Sequence, residues 1–294
     1  MKPTDQILES RVRDYFNLLK PRVMSLVIFT AITGLYLAPG TIHPFIALIA
    51  ILCISVGSGA AGAINMWYDR DIDNIMLRTK KRPIPSGRVA AEDALYMGVF
   101  LSVFAVALMG LAVNILSASL LAFAIFFYSY IYTVLLKRST AQNIVIGGAA
   151  GALPPLIGWV AVSNQITIEP IILFLIIFLW TPPHFWALSL YSAEDYKKAN
   201  IPMMPVIAGI KSTKKQIVIY TILLAIITLL PAFFHLTNNI YLSSITILNI
   251  IFLVLVIKLY LDPINKLAGK TFAYSILYLF MVFLSAIIDK AWSN

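Results

Sequence analysis

An asparagine, three aspartates and a run of cations close an apolar stretch of about twenty-five residues: Asn65, Asp69, Asp71 and Asp73, then Arg78, Lys80, Lys81 and Arg82. On a helix, Asn65, Asp69 and Asp73 fall at i, i+4 and i+8 and share a face, drifting about 40° per step, with Asp71 on nearly the opposite side. Like charges at that spacing repel, and the edge of a membrane screens them weakly. A hard divalent cation removes the repulsion, and magnesium typically takes one or two carboxylates together with phosphate oxygens. Arg78, Lys81 and Arg82 follow within about two turns, where they can receive the phosphates. The stretch reads as a Mg²⁺–diphosphate site with Asn65, Asp69 and Asp73 on the metal. The alternative is a solvated juxtamembrane helix of mixed charge.

A second acidic end holds Glu194 and Asp195, with Lys198 three residues after Asp195 and on the same side if the segment is helical. It is expected to supply further metal ligands, Glu194 and Asp195, with Lys198 on a phosphate oxygen; the alternative is a surface ion pair at a helix end. About ten residues deeper in the same apolar run lies His184, between Pro183 and Phe185-Trp186. An intramembrane histidine is a functional-site hypothesis by default. It can be an axial ligand to a haem iron, or it can be hydrogen-bonded to a neighbouring helix. His43 and His235 fall near the other face and read as interfacial residues.

These side chains need elements to carry them. Of 294 residues, 60% are hydrophobic and 12% charged, about half the charge fraction of a soluble protein. The chain reads as an all-α polytopic membrane protein. Apolar runs near the ~20 residues that span a bilayer lie at about 23–40, 44–66, 93–113, 117–136, 143–162, 168–190, 216–236, 240–261 and 272–289, so a bundle of nine transmembrane helices is expected. Glycines 57, 59 and 62, and 147, 148 and 151, permit close helix approach. Pro154-Pro155 and Pro182-Pro183 should kink two helices. The polar segment 1–18 has neither the apolar core of a signal peptide nor the character of a transit peptide, so the first span is expected to act as the targeting signal.

Of the 22 lysines and arginines, five precede residue 23, six lie in 70–88, two are Lys137 and Arg138, five lie in 197–215, three in 258–270, and one is Lys290. Loops near 41–43, 114–117, 163–167 and 237–240 hold none. By the positive-inside rule the amino terminus is cytoplasmic and the carboxyl terminus outside, as an odd number of spans requires. The net charge of +9 is therefore spread over loops of one side and does not form a nucleic-acid patch. The lone Cys53 excludes a disulfide framework and a zinc site. Loops 67–92 and 191–215 are the long ones; each follows an acidic helix end, and they serve as the cytoplasmic active-site loops of a single domain spanning 1–294. Their separation by four helices suggests two related halves facing one cavity.

No Ser-His-Asp arrangement, nucleotide-type glycine loop or thiol chemistry is present. Acidic pairs and cations at the mouth of an apolar helical cavity suit a substrate with a diphosphate head and a long apolar tail. Mg²⁺ and the cations would stabilise the departing diphosphate as an allylic C–O bond ionises. A dry aromatic pocket would shelter the carbocation until an electron-rich acceptor attacks. This describes a membrane prenyltransferase with an unspecified acceptor. A secondary transporter is the rival class, although transporters hold their coupling groups near the bilayer midplane. A diphosphate-lipid phosphatase would need a further nucleophile or base.

The spacing Asn65-x-x-x-Asp69-x-x-x-Asp73 with Arg78-Thr79-x-x-Arg82-Pro83 resembles the intramembrane prenyltransferase superfamily of UbiA type. The extended pattern through Pro85, Gly87 and Arg88 is similar to the protohaem IX farnesyltransferase branch. So are Gly151 to Trp159, Trp180-Thr181-Pro182-Pro183-His184-Phe185-Trp186, and Asp195-Tyr196 through Pro202-Met203-Met204-Pro205. The likeness runs from Leu19-Lys20-Pro21-Arg22 through the ninth helix. It implies a nine-helix bundle in a bacterial inner membrane, with the active site open to the cytoplasm. It implies transfer of farnesyl from farnesyl diphosphate to a vinyl group of haem B, with water addition, giving haem O; an aromatic quinone precursor is the alternative acceptor within the superfamily. By position, Asn65, Asp69 and Asp73 match the first metal motif, Arg78 and Arg82 lie beside the phosphates, and Asp195 and Lys198 match the second motif. His184 becomes the haem-contacting residue. The usual second motif carries another aspartate where this chain has Ala199, so either Glu194 compensates or the second site uses fewer protein ligands. A haem A synthase or a terminal oxidase is the implied kind of partner.

Overall fold

A computed structural model describes residues 12–293. Residues 1–11 of the polar amino-terminal segment lie outside that range; the rest of it forms α1 (Val12–Leu18). α1 meets α2 (Pro21–Leu37) at 54°. The corner is Lys20, in the left-handed conformation at φ 53°, and Pro21 opens α2 at a position where a missing N–H costs nothing. α3 (Pro44–Tyr68) ends at the acid cluster, and a short α4 (Arg70–Ile75) follows within the first long loop. α5 (Ala91–Ala112) and α6 (Ile115–Phe126) form a hairpin. α6 then widens into a π-helix over Phe127–Leu136, in which Lys137 N donates to Tyr132 O at 2.9 Å, five residues back.

α7 (Asn143–Ser163) and α8 (Ile168–Tyr191) come next, and both run unbroken through their proline pairs. The second long loop holds α9 (Ala193–Lys198) and α10 (Met204–Ile207). α11 (Gly209–Ile227) and the short α12 (Leu230–Phe233) make the next crossing, followed by α13 (Asn239–Leu261) and α14 (Ala268–Ser293). The described residues contain no strand. Among the described residues, eight helical segments are long and apolar enough to cross a membrane, or nine if the bent α1–α2 pair is one span. This is an integral membrane protein. The segment 209–215, expected to be loop, is already helix: Lys211, Lys214 and Lys215 sit on its first turns.

Two packed cores flank α2 and α7. One joins α8, α11, α13 and α14 around Trp186, Tyr241, Phe252 and Tyr278; the other joins α3, α5 and α6 around Ile54, Met109 and Leu121. Between lipid-facing helices there is no hydrophobic driving force, so association depends on close approach. α2 and α7 approach each other backbone to backbone. A Cβ at Gly34 would strike the Pro155 carbonyl, and one at Gly158 would strike the Ala31 carbonyl. Gly34 belongs to no motif singled out in the sequence, and Gly158 only to the Gly151 to Trp159 stretch. Gly57, Gly59, Gly62, Gly147 and Gly148 do lie against neighbours, whereas Gly151 meets nothing within 4 Å and faces open space. At the far end of α14, Lys290 Nζ donates to Tyr36 O, Leu37 O and Ala38 O at 3.0, 3.1 and 3.4 Å, closing the carbonyl end of α2.

Both long loops lie at one end of the bundle. Ile72 and Met76 of the first pack with Tyr196, Ala199, Ile201 and Met203 of the second, over Ile144 of α7. The two acidic segments are thereby brought to the same end.

Candidate active site

The site begins where α3 ends. Asp69 is at once the C-cap of α3 and the N-cap of α4, with φ −85° and ψ 7°. The i→i−4 ladder nevertheless continues through it: Asp69 N donates to Asn65 O at 2.9 Å, and Asp73 N to Asp69 O at 2.8 Å. Asn65, Asp69 and Asp73 therefore stay on one face, and all three are buried. Asp71 faces outward, with 61% of its side chain exposed.

The enclosed Asp69 carboxylate accepts from Asn65 Nδ2 at 2.7 Å and is ion-paired through Oδ2 with Lys137. Asn65 Nδ2 also donates to Thr133 Oγ1 at 3.1 Å, on the π-helix. Asn65 Oδ1 accepts from Lys20 Nζ at 2.6 Å. Arg82 Nη1 donates to Asp73 Oδ2 at 2.7 Å. Arg138 grips Asp71 with two bonds of 2.8 Å and lies 3.6 Å from Asp69 Oδ1. Those two bonds hold the Asp71 carboxyl below its ordinary 3.8 and push the Arg138 guanidinium further up, because each favours the charged form.

Lys20, Lys137 and Arg138 are the residues that sequence reasoning missed. Lys137 and Arg138 served there only as topology charges. The available signal was their position directly after an apolar helix at the acidic end of the bundle. Lys137 and Arg138 follow directly on the π-helix, and Lys20 stands at the left-handed corner before α2.

The other candidates are less gathered. Arg78, Lys81 and Lys198 are exposed, as is Glu194, and Asp195 is half-buried without an ion pair. Ala199, at the place of the usual second aspartate, is buried in the apolar contact between the loops. Among the described residues no three His, Cys, Asp or Glu side chains converge as a metal cluster; Asp69 and Asp73 each face protein cations. Asp69 Oδ1 is fully enclosed and accepts no hydrogen bond; Arg138 Nη2 stands 3.6 Å from it, too far to donate, so this oxygen keeps an unsatisfied acceptor. A hard, oxygen-seeking ion fits this donor set.

A cavity of about 110 Å³ opens beside the cluster. Lys20 and Tyr128 stand at its polar edge, and Val27, Ile125, Ala150 and Pro154 line its apolar part. Lys20 Nζ lies 5.6 Å from the centre of the Tyr128 ring, and Tyr132 stacks on Tyr128 at 5.4 Å. Such π faces favour positive charge. The arrangement can hold an anionic head among cations, lay an apolar chain behind it, and present aromatic faces where the two meet.

His184 does not line this cavity. It is buried between α8 and α14, with Nδ1 2.7 Å from Ser275 Oγ, and stacks with Trp180 at 4.2 Å and Phe272 at 4.7 Å. Both open readings of this histidine stand at that point, since it has found a neighbouring helix and kept one ring nitrogen unpaired.

The model of the UbiA prenyltransferase family matches residues 27–285. A protoheme IX farnesyltransferase of Rhizobium rhizogenes is 57% identical over 286 residues, covering 96% of this chain and 90% of the relative. One of Rickettsia bellii is 56% identical over 277 residues, covering 94% and 92%. Among solved structures, a digeranylgeranylglyceryl phosphate synthase superposes with a TM-score of 0.79 at 21% identity, over 95% of this chain and 98% of that one. A UbiA homolog from Archaeoglobus fulgidus, solved with GPP and Mg²⁺, gives 0.64 at 17% identity, over 93% and 99%. These two show a shared fold.

Proposed function

The chain belongs to the UbiA prenyltransferase family, and on that premise we propose that it transfers the farnesyl group of farnesyl diphosphate to a vinyl group of haem B. The observation that carries this reading is the meeting of Asn65, Asp69 and Asp73 with Lys20, Arg82 and Lys137 at the edge of an apolar cavity. The names of the most similar relatives support haem as the acceptor.

The diphosphate head lies among Arg78, Lys81, Arg82 and Lys198, with Lys20 and Lys137 beneath it. Asn65 and Asp69 at the end of α3 and Asp73 on α4 would hold Mg²⁺, and Asp195 with Glu194 would offer oxygens from the second loop. When bound, the metal supplies positive charge that stabilises the leaving group; a UbiA homolog solved with GPP and Mg²⁺ supports this assignment. The farnesyl chain occupies the cavity behind Lys20. As the allylic C–O bond breaks, its electron pair leaves on the diphosphate, and the Tyr128 and Tyr132 faces stabilise the positive charge on carbon. The vinyl π electrons form the new C–C bond. Water then adds to the carbon beside the porphyrin and releases a proton, giving the hydroxyethylfarnesyl group of haem O. His184 contacts the haem.

The distribution of lysine and arginine supports a cytoplasmic mouth, and bacterial relatives support residence in the inner membrane. A haem A synthase or a terminal oxidase would receive the product. The test is mass spectrometry of haem extracted after the purified chain is incubated with haem B, farnesyl diphosphate and Mg²⁺. Farnesylated haem with stoichiometric inorganic diphosphate is expected. Diphosphate release with an unchanged porphyrin, or prenylation of an aromatic acid but not of haem, overturns the acceptor.

A further inference from the structure

The surroundings of His184 fix which of its nitrogens carries the proton. Ser275 Oγ, on α14, lies 2.6 Å from Phe272 O and 2.7 Å from His184 Nδ1. A hydroxyl has one hydrogen and a carbonyl oxygen has none, so the serine proton goes to Phe272 O. The remaining contact holds only if Nδ1–H donates to a lone pair of Ser275 Oγ. A neutral ring protonated at Nδ1 has a bare lone pair at Nε2, the form of histidine that binds a metal. Nε2 makes no hydrogen bond and is not among the fully enclosed polar atoms.

The ring is also held in orientation. Trp180 and Phe272 stack on it with interplanar angles of 20° and 29°, and Phe185 meets it edge-on at 86°. Trp180 is itself anchored, since its Nε1 donates to the Ser275 carbonyl at 2.7 Å. Ser275 thus acts twice, through its hydroxyl on the histidine and through its carbonyl on the tryptophan stacked above. His184 lies seven residues before the end of α8, about 10 Å of helix from the loop level.

We propose that Ser275 is a positioning residue for the acceptor: by accepting Nδ1–H it presents Nε2 of His184 as an axial ligand to the iron of haem B. This rests on the acceptor assigned under the proposed function. A backbone carbonyl or carboxylate usually orients a metal-ligating histidine in this way, and loss of such a partner costs 10–100-fold in affinity. Without the serine oxygen the neutral ring can shift its proton to Nε2, which removes the lone pair that iron needs.

The experiment titrates haem B into the purified full-length chain. It records the Soret band and dissociation constant, and the iron–histidine stretch of the ferrous complex by resonance Raman. The unsubstituted chain is expected to show a histidine-ligated spectrum that His184→Ala loses. Ser275→Ala is expected to raise the dissociation constant about tenfold and to shift the stretch, with Ser275→Thr restoring both. If Ser275→Ala loses the fold, Ser275→Cys, a much weaker acceptor, gives the same readout. Ser275→Ala with wild-type stretch and affinity, beside a His184→Ala that loses ligation, overturns the positioning role alone. A wild-type spectrum in His184→Ala overturns the ligation. An unsubstituted chain that neither binds nor farnesylates haem overturns the acceptor assignment and this inference with it.

Discussion

Lys137 is ion-paired with Asp69, a carboxylate that has no exposed surface. Sixty-eight residues separate the two in sequence, and the π-helix and the end of α3 bring them together. A charge so enclosed depends on its partner.

Lys137→Met should therefore destabilise the protein by about 3 kcal/mol, the usual cost of stranding a buried charge. Asp69→Asn in the same chain should recover most of that loss. Thermal unfolding of the two single variants and the double variant in one detergent measures the coupling. Independent, additive effects would mean that the pair contributes nothing.

Asp69→Asn or Asp73→Asn should lower the rate of diphosphate release by at least about 100-fold, the scale of losing a principal electrostatic group. Asp71→Asn should change it only a few-fold, since Asp71 points outward to Arg138. Steady-state release with farnesyl diphosphate and haem B separates the three.

Lys20 joins the polar cluster to the apolar cavity. Lys20→Met should raise KM for farnesyl diphosphate about tenfold, in line with loss of one hydrogen bond to a charged group. The KM for haem should move little. Comparable changes in both would place Lys20 outside the diphosphate pocket.

Two glycines should respond in opposite ways. Gly34→Ala forces α2 off the α7 backbone and should leave little folded protein by size-exclusion chromatography. Gly151→Leu projects into open space beside the cavity; it should fold normally and shift preference from farnesyl towards geranyl diphosphate. Competition between the two donors reads the shift.

The Asp71–Arg138 pair predicts a small acid dependence. Asp71 binds its proton less readily in the folded chain than the ordinary 3.8. Its contribution is therefore present above that value and is lost as pH falls through the lower folded one. Solvent screening holds it below about 1 kcal/mol. Between pH 5 and pH 3 the unfolding midpoint of the parent should fall slightly more than that of Asp71→Asn.

Much of this was legible in the residues. Apolar runs of membrane-spanning length marked the long helices to within a few residues, and the i, i+4, i+8 spacing marked Asn65, Asp69 and Asp73 as one face. The first turns of α11 were hidden because charged Lys211, Lys214 and Lys215 end an apolar window without ending a helix. The partners of the acids were hidden for another reason. Lys20 stands at a left-handed corner and Lys137 directly after a π-helix, and periodicity records neither. The proline pairs lie inside α7 and α8, each a continuous helix, with Thr181 Oγ1 donating to Ile177 O at 2.8 Å beside one of them.

Lys290 carries a consequence for the order of assembly. The carbonyls of residues 36–38 finish α2, but the ammonium that satisfies them belongs to α14. A ribosome exposes one more than two hundred and fifty residues before the other. Until α14 is made, that rim must borrow its donors from interfacial water, and α2 can be tied to α14 only once both have been inserted.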